Sequence, residues 1–243
     1  MRVCRGARRE VFLEQLSKTT FDVLVIGGGI MGARIALDAA YAGLRVALVD
    51  AGDFRGASSS ASGKLIHGGL RYLRTGSIRL VHRARREQRI LADWVAPHLV
   101  RRLPLFLATT ERGSAAFSTV AAGPLVYWGL DGFRAPLPRS VSPEETPTLI
   151  PPLRYTGPCV LLEEAVTDDA RLTLATVRAA VRAEAVAVNH LRVVCLEHAR
   201  GGITGAVLAE RDGEGPLSVR CRAVVNATGH VARPPPATGR PEE

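Results

Sequence analysis

Three glycines constrain this chain more tightly than any other feature. Gly27, Gly29 and Gly32 stand in the order Gly-x-Gly-x-x-Gly, directly after an apolar, β-rich run from Phe21 to Ile26. Helix formers follow from Ile30 to Ala42, Gly43 stops them, and a second apolar run covers Leu44 to Val49. Strand, tight turn, helix and strand in this order make one right-handed βαβ unit. The first glycine makes the turn, the second lets a pyrophosphate approach the backbone, and the third lets helix and strand pack closely. The anion then rests on the helix N-terminus, where N–H groups and the macrodipole favour negative charge. Asp50 ends the second strand, where an acidic side chain accepts hydrogen bonds from ribose hydroxyls. A glycine triplet alone is often only a turn. With strand, helix and terminal acid in place, this one predicts an adenine-dinucleotide site.

The rest of the sequence bounds what surrounds that unit. At 243 residues the chain suits one large domain or one and a half small ones. Aromatic residues make up only 5%, so aliphatic side chains and alanine must fill the core. The net charge of +9 is carried almost wholly by arginine, since Lys18 and Lys64 are the only lysines. Such a balance suits nucleic acid, an anionic membrane or a phosphorylated substrate. No RNA-binding signature or zinc-finger spacing is present, which argues against nucleic acid. Cys4, Cys159, Cys195 and Cys221 form no CxxC pair and no disulfide framework, as suits a reducing cytosol. Cys195 and His198 lack a second ligand pair, so no metal is expected. The basic start, Met1 to Arg9, leads into no uninterrupted apolar stretch, and no run approaches the roughly 18 residues that span a bilayer. The expectation is a cytoplasmic protein, soluble or peripheral on the cytoplasmic face of a membrane.

Further along, Arg9 to Leu16 reads as a short amphipathic helix. Ala51 to Gly69 is small, polar and rich in Gly and Ser, the composition of an ordered loop near a ligand. Ile78 to Val95 has helical periodicity, with Val81, Ala84, Leu91 and Val95 on one side and Arg79, Arg83 and Arg86 on another. Leu103 to Ala108 reads as a strand, Ala121 to Pro158 as irregular chain, and Asp168 to Arg182 as a helix. Val186 to Leu196, Gly205 to Glu210 and Leu217 to Val225 read as strands, with a hairpin signal at Gly213 to Pro216. Prolines 234 to 236 and Pro241 make His230 to Glu243 a disordered tail. The predicted fold is α/β, a Rossmann-like, doubly wound domain in two parts, 21–95 and 166–229. A leader, 1–20, precedes it, and a β-rich partial substrate domain, 96–165, is inserted.

The fingerprint does not separate FAD from NAD. Two other stretches bear on that choice. Ser58-Ser59-Ser60-Ala61-Ser62-Gly63-Lys64-Leu65-Ile66-His67-Gly68-Gly69 is a polar loop shortly after Asp50. Val224-Val225-Asn226-Ala227-Thr228-Gly229 is a late strand ending in small residues, able to return the chain to the same nucleotide. With FDVLVIGGGIMGARIALDAA, RVALVDAGDF, SSSASGKLIHGGLRYL, APHL, TDDARLTLATVRAA and VVNATG, Phe21 to Gly229 resembles the N-terminal part of FAD-dependent glycerol-3-phosphate dehydrogenases.

The resemblance implies a flavoenzyme that oxidises sn-glycerol 3-phosphate to dihydroxyacetone phosphate, with hydride passing to the flavin and electrons to a quinone at the membrane. It implies that Gly27, Gly29, Gly32 and Asp50 hold the ADP half of FAD. Ser58, Ser59, Ser62, Lys64, Leu65, Ile66, His67 and Gly68 would line the pyrophosphate and isoalloxazine. Arg192 and Val193 would flank adenine, and Ala227, Thr228 and Gly229 would close the cofactor from the other side. Arg71 and Tyr72 match the substrate pocket, where an arginine fork suits a phosphate dianion. Peripheral membrane contact would use the Arg79, Arg83 and Arg86 face together with Tyr127, Trp128 and Phe133.

The chain also departs from the pattern. His230-Val231 stands where the family continues with Pro-Trp, so the resemblance implies a truncated form. Such a polypeptide alone is expected to bind FAD weakly or not at all, and stoichiometric yellow flavin in the purified protein would contradict this. Asp50 replaces a more usual glutamate. Glu184 occupies a helix–strand turn that usually carries glycine, and a side chain there predicts a different turn. Two alternatives remain, a non-catalytic FAD-binding remnant and a related flavoenzyme oxidising an amino acid or hydroxy acid. The Lys64 to Tyr72 stretch argues against the latter.

Overall fold

The structure is a computed structural model in which residues 5–56, 61–108, 114–150, 159–199, 201–210 and 215–229 are described. The chain begins with α1 (Arg5–Lys18), β1 (Thr20–Ile26), α2 (Ile30–Tyr41) and β2 (Val46–Val49). Next come β3 (Leu65–Ile66), a 3-10 turn (Leu70–Thr75), α3 (Ile78–Ile90), a π turn (Leu91–Val95) and β4 (Val100–Ala108). Then follow α4 (Ser114–Leu130), β5 (Arg139–Val141), α5 (Thr146–Leu149) and β6 (Cys159–Thr167). The last elements are α6 (Asp169–Arg182), β7 (Val186–Val188), β8 (Leu191–Ala199), β9 (Gly202–Glu210) and β10 (Pro216–Asn226). The chain divides into two compact units. Met1–Ser62 with Asp169–Glu243 form the first and Gly63–Asp168 the second.

The first unit is a six-stranded sheet in the order β7-β2-β1-β10-β9-β8. β7, β2, β1 and β10 run parallel, while β9 and β8 continue as an antiparallel meander. The parallel strands are near-continuous apolar runs because both of their faces are buried. Leu24, Ile26, Ala47, Val49, Val186 and Val188 share one core with Leu16 of α1 and with Leu191, Leu208 and Val219 of the meander. Val25, Val46, Leu48 and Ala187 point the other way, onto Ala33, Ala36 and Ala40 of α2 and Val177 and Ala180 of α6. Alanines on both helices let them lie close to the sheet. Each large aliphatic side chain so buried contributes about 1.5–3 kcal/mol.

The second unit is a smaller antiparallel sheet, β3-β6-β4, with β5 also pairing β6. β4 lies at an edge, which tolerates Pro104 and its missing N–H. Val81, Tyr127 and Leu162 form its apolar cluster, with Leu70, Tyr72, Leu105 and Leu130 packed around them.

Several expectations need correction. Residues 63–95 pack in the second unit, so the division after the nucleotide unit's first part falls at 62/63 rather than 95/96. Ala121 to Leu130 is not irregular. It belongs to a 17-residue helix, Ser114–Leu130, with Pro124 inside it. Helix α3 ends at Ile90, and Val95 is exposed rather than inward-facing. The run Val186 to Leu196 is two strands, broken at Asn189-His190, where His190 takes φ +54°. Glu184 does adopt the glycine-like turn, at φ +70°, held by Glu184 N–H donating to Val181 C=O and Ala185 N–H donating to Ala180 C=O. The predicted tail, His230 to Glu243, lies outside the described residues.

Candidate functional site

In the first unit, the glycine turn sits at the carboxyl end of β1. Gly27 N–H donates to Val49 C=O at 2.8 Å, and Ala227 N–H donates to Ile26 C=O at 2.8 Å. The turn, the end of β2 and the end of β10 therefore converge, although Ala227 is remote in sequence. Gly27 takes φ +106°, and a Cβ there would lie 2.5 Å from the Ala227 carbonyl oxygen. A Cβ on Gly32 would lie 1.8 Å from Gly27 O. Both positions thus exclude side chains for reasons of backbone, which leaves a bare cradle at the N-terminus of α2. Gly29 is the N-cap and has no side chain to fill the first turn. That geometry fits a pyrophosphate.

Asp50 turns its carboxylate back into this loop. Oδ2 accepts from Gly28 N–H at 2.6 Å and Oδ1 from Gly52 N–H at 2.8 Å. A carboxylate has about four lone-pair sites, so ribose hydroxyls can still be accepted. Arg55 N–H donates to Gly28 C=O at 3.1 Å, and the Phe54 ring packs so closely that a Cβ on Gly28 would lie 2.3 Å from it. Leu191 N–H donates to Asp50 C=O at 2.8 Å, which brings the start of β8 beside the acid. The neighbouring Arg192 is exposed, and Val193 packs on the sheet core. Asn226 Oδ1 accepts from both Thr228 N–H and Thr228 Oγ1, shaping the Ala227-Thr228-Gly229 turn. Ser62 Oγ donates to the Asp169 carboxylate at the start of α6. Ser58 and Ser59 lie outside the described residues.

In the second unit, the Lys64–Tyr72 stretch runs along one edge of β6. Lys64 adopts φ +62°, and its carbonyl accepts from Thr167 N–H at 2.9 Å. Leu65 and Ile66 pair with Val166 and Ala165. His67 is exposed, while Gly68 and Gly69 are buried. Gly69 takes φ +77° and lies against the Tyr72 ring. Arg71 Nη2 donates to Tyr72 Oη at 3.2 Å, and its guanidinium stands 5.1 Å from that ring's centre. The hydrogen bond to Tyr72 raises Arg71 further above its usual pKa, so it stays cationic.

A buried polar cluster behind this stretch escaped sequence reasoning. Glu164, on β6, accepts from Tyr127 Oη at 2.5 Å and from Gln88 Nε2 at 2.7 Å. Arg85 pairs with Asp131 at 3.0 Å and lies 3.7 Å from Glu164, with its guanidinium 4.7 Å from the centre of the Tyr127 ring. Arg89 also pairs with Asp131. Burial, and then the Glu164 charge, push the Tyr127 phenol well above its ordinary range. The one signal in the sequence was Glu163-Glu164 inside an apolar strand run, since a carboxylate there must find partners. Tyr127 is 2% exposed and so is no membrane anchor. Trp128 donates to Ala135 C=O and meets Phe133 edge-on at 4.6 Å.

The FAD-dependent oxidoreductase profile matches residues 22–241. The chain belongs to that family. Glycerol-3-phosphate dehydrogenase 2 of Mycobacterium tuberculosis is 37% identical over 226 residues, covering 92% of this chain and 38% of the relative. The crystal structure of the FAD-complexed glycerol-3-phosphate dehydrogenase of Bacillus halodurans is 29% identical at a TM-score of 0.69, covering 90% of this chain and 36% of that one. Glycine oxidase of Geobacillus kaustophilus, at 24% identity and a TM-score of 0.64, shares the fold. The chain thus spans under half the length of the glycerol-3-phosphate dehydrogenases it matches. FAD, rather than NAD, is the cofactor of this family.

Proposed function

We propose that this chain carries the flavin-holding part of an FAD-dependent glycerol-3-phosphate dehydrogenase, which oxidises sn-glycerol 3-phosphate to dihydroxyacetone phosphate and passes electrons to a quinone. FAD, when bound, supplies the hydride acceptor, and the protein supplies binding and orientation. Gly27, Gly29 and Gly32, with the first turn of α2, take the pyrophosphate. Asp50 takes the ribose, Arg192 and Val193 flank adenine, and Ala227, Thr228 and Gly229 close that end. Ser58, Ser59 and Ser62 lead into Lys64, Leu65, Ile66, His67 and Gly68, which line the ring system.

The observation that carries the substrate assignment is the Arg71–Tyr72 pair. The Tyr72 ring and hydroxyl fix one edge of an exposed, permanently charged guanidinium. One of its two fork edges, Nη1/Nη2 or Nε/Nη2, is left open among the described residues and suits two oxygens of a phosphate. Substrate-dependent dye reduction with FAD in excess tests this. Reduction with glycerol 3-phosphate, lost in Arg71→Met, is the expected result. Reduction only with an amino acid or 2-hydroxy acid would assign the chain to the other flavoenzyme class. No reduction with any substrate would mark a non-catalytic remnant.

The exposed Arg79, Arg83 and Arg86 of α3, beside exposed Ile78 and Leu80, are proposed to contact anionic headgroups. Each basic residue contributes about 1 kcal/mol near such a surface. Among the described residues no helix is long and apolar enough to cross a membrane. Co-flotation with phosphatidylserine vesicles, abolished when the three arginines become glutamine, is expected; no co-flotation of the unaltered chain defeats the idea.

A further inference from the structure

The buried cluster of the second unit reaches the candidate flavin-lining stretch at two points, one on each side of His67. Ile66 C=O accepts from Gln88 Nε2. The Tyr127 hydroxyl packs directly against Gly68. Gly68 packs so closely that a Cβ there would lie 2.2 Å from Arg85 Cδ and 2.3 Å from Tyr127 Oη. Both holding side chains end on one carboxylate, Tyr127 on Glu164 Oε1 and Gln88 on Glu164 Oε2. They come from different helices, α4 and α3, so Glu164 registers the two helices against the same short turn. Arg85 adds a second tie, since its Nη1 donates to Gln88 Oε1 at 2.5 Å and so fixes the amide's orientation. Arg85, Gln88, Tyr127, Asp131 and Glu164 are each no more than 4% exposed. Replacing such a buried ionic group by packed apolar residues is often neutral or stabilising, so stability alone gives little reason for it. Geometric definition of the backbone it touches is a better one.

We infer that Gln88 and Tyr127, registered by Glu164, are positioning residues that clamp the backbone on both sides of His67 and so set where its imidazole stands. The inference rests on the reading that Lys64 to Gly68 line the flavin ring, but the clamp can be tested apart from it. None of the clamp residues touches the cofactor. They act through the hydrogen bond to the Ile66 carbonyl and the close packing on Gly68. Two β3 residues paired to β6 would otherwise leave His67 at the loose end of a very short strand.

The test uses the full chain with Tyr127→Phe, which removes only the hydroxyl, and independently Gln88→Met. Amide hydrogen exchange and histidine ring NMR are read in each, with the His67 signal assigned from His67→Gln. The clamp predicts exchange at residues 66–68 at least tenfold faster while β6 and α6 keep their protection. It also predicts that the His67 ring signal moves while those of the other histidines stay. Unchanged exchange at 66–68, or a loss spread evenly over the unit, overturns it. A separate measurement checks the underlying reading. FAD should show an altered visible spectrum on binding to the unaltered chain. If FAD binds no differently from ADP and its ring spectrum is that of free flavin, the flavin reading fails, while the exchange result still decides the clamp.

Discussion

The two units of this chain are built on opposite principles. The first is a mixed, mainly parallel sheet whose strands send aliphatic residues into two cores, Leu24 and Ile26 to one side and Val25 to the other. The second surrounds a thin apolar cluster with Arg85, Gln88, Tyr127, Asp131 and Glu164, all buried and mutually bonded. In the first unit hydrophobic burial makes the fold and leaves backbone geometry, through Gly27 and Gly32, to make the site. In the second, charged and hydrogen-bonded groups in the core hold the site stretch directly. An apolar core tolerates repacking. A paired ionic core tolerates the loss of one partner poorly, because the other is left charged and buried.

The sharpest way to break this comparison is to remove one partner from each core. Arg85→Met leaves Asp131 and Glu164 short of their counter-charge and is expected to destabilise the second unit by about 3–5 kcal/mol. Leu24→Ala is expected to cost the first unit about 2–5 kcal/mol through lost burial and a cavity. What separates the units is the rescue. Replacing Arg85, Gln88, Arg89, Asp131 and Glu164 together by apolar residues of similar volume, with Tyr127→Phe, should recover most of the loss in urea unfolding. If Arg85→Met proves as mild as a surface change, the ionic core is not what holds the second unit.

A smaller effect sharpens the same contrast by pH. Tyr127 has its pKa raised above the usual 10.0 by burial and by Glu164. A raised pKa means the neutral phenol favours the folded state, so its contribution is complete below pH 10 and is lost as pH rises beyond it. Stability of the second unit should therefore fall above about pH 10, and Tyr127→Phe should flatten that slope. An equal slope in both proteins contradicts the assignment.

Much of the first unit was legible because periodicity and glycine spacing are local. Phe21 to Ile26, the Gly27 to Gly32 turn and the acid at Asp50 need no knowledge of distant contacts. The convergence of Ala227 with Gly27 was legible only as a late strand able to return to the nucleotide, an ability the resemblance then made specific, since nothing local links residues so far apart. Glu184 misled because an αL side chain costs only about 1–2 kcal/mol, which the backbone bonds of that turn offset. His190 hid a strand break for the same reason, keeping φ +54° inside a β-rich run. The second unit was the least legible. Its helix Ser114–Leu130 was masked by Gly123 and Pro124, and its polar core has no period to read. Arg85 and Gln88 carry no apolar signal, and only the fold shows them turned inward.

The central claim is that the bare glycine cradle with Asp50 takes the ADP half of FAD. Titration of the chain with FAD, and in parallel with NAD, measures it directly, using Gly32→Val as the variant that fills the cradle. The account predicts weak but saturable FAD binding, at least tenfold weaker in Gly32→Val, and no comparable binding of NAD. Equal FAD affinity in both proteins, or a preference for NAD, would contradict it.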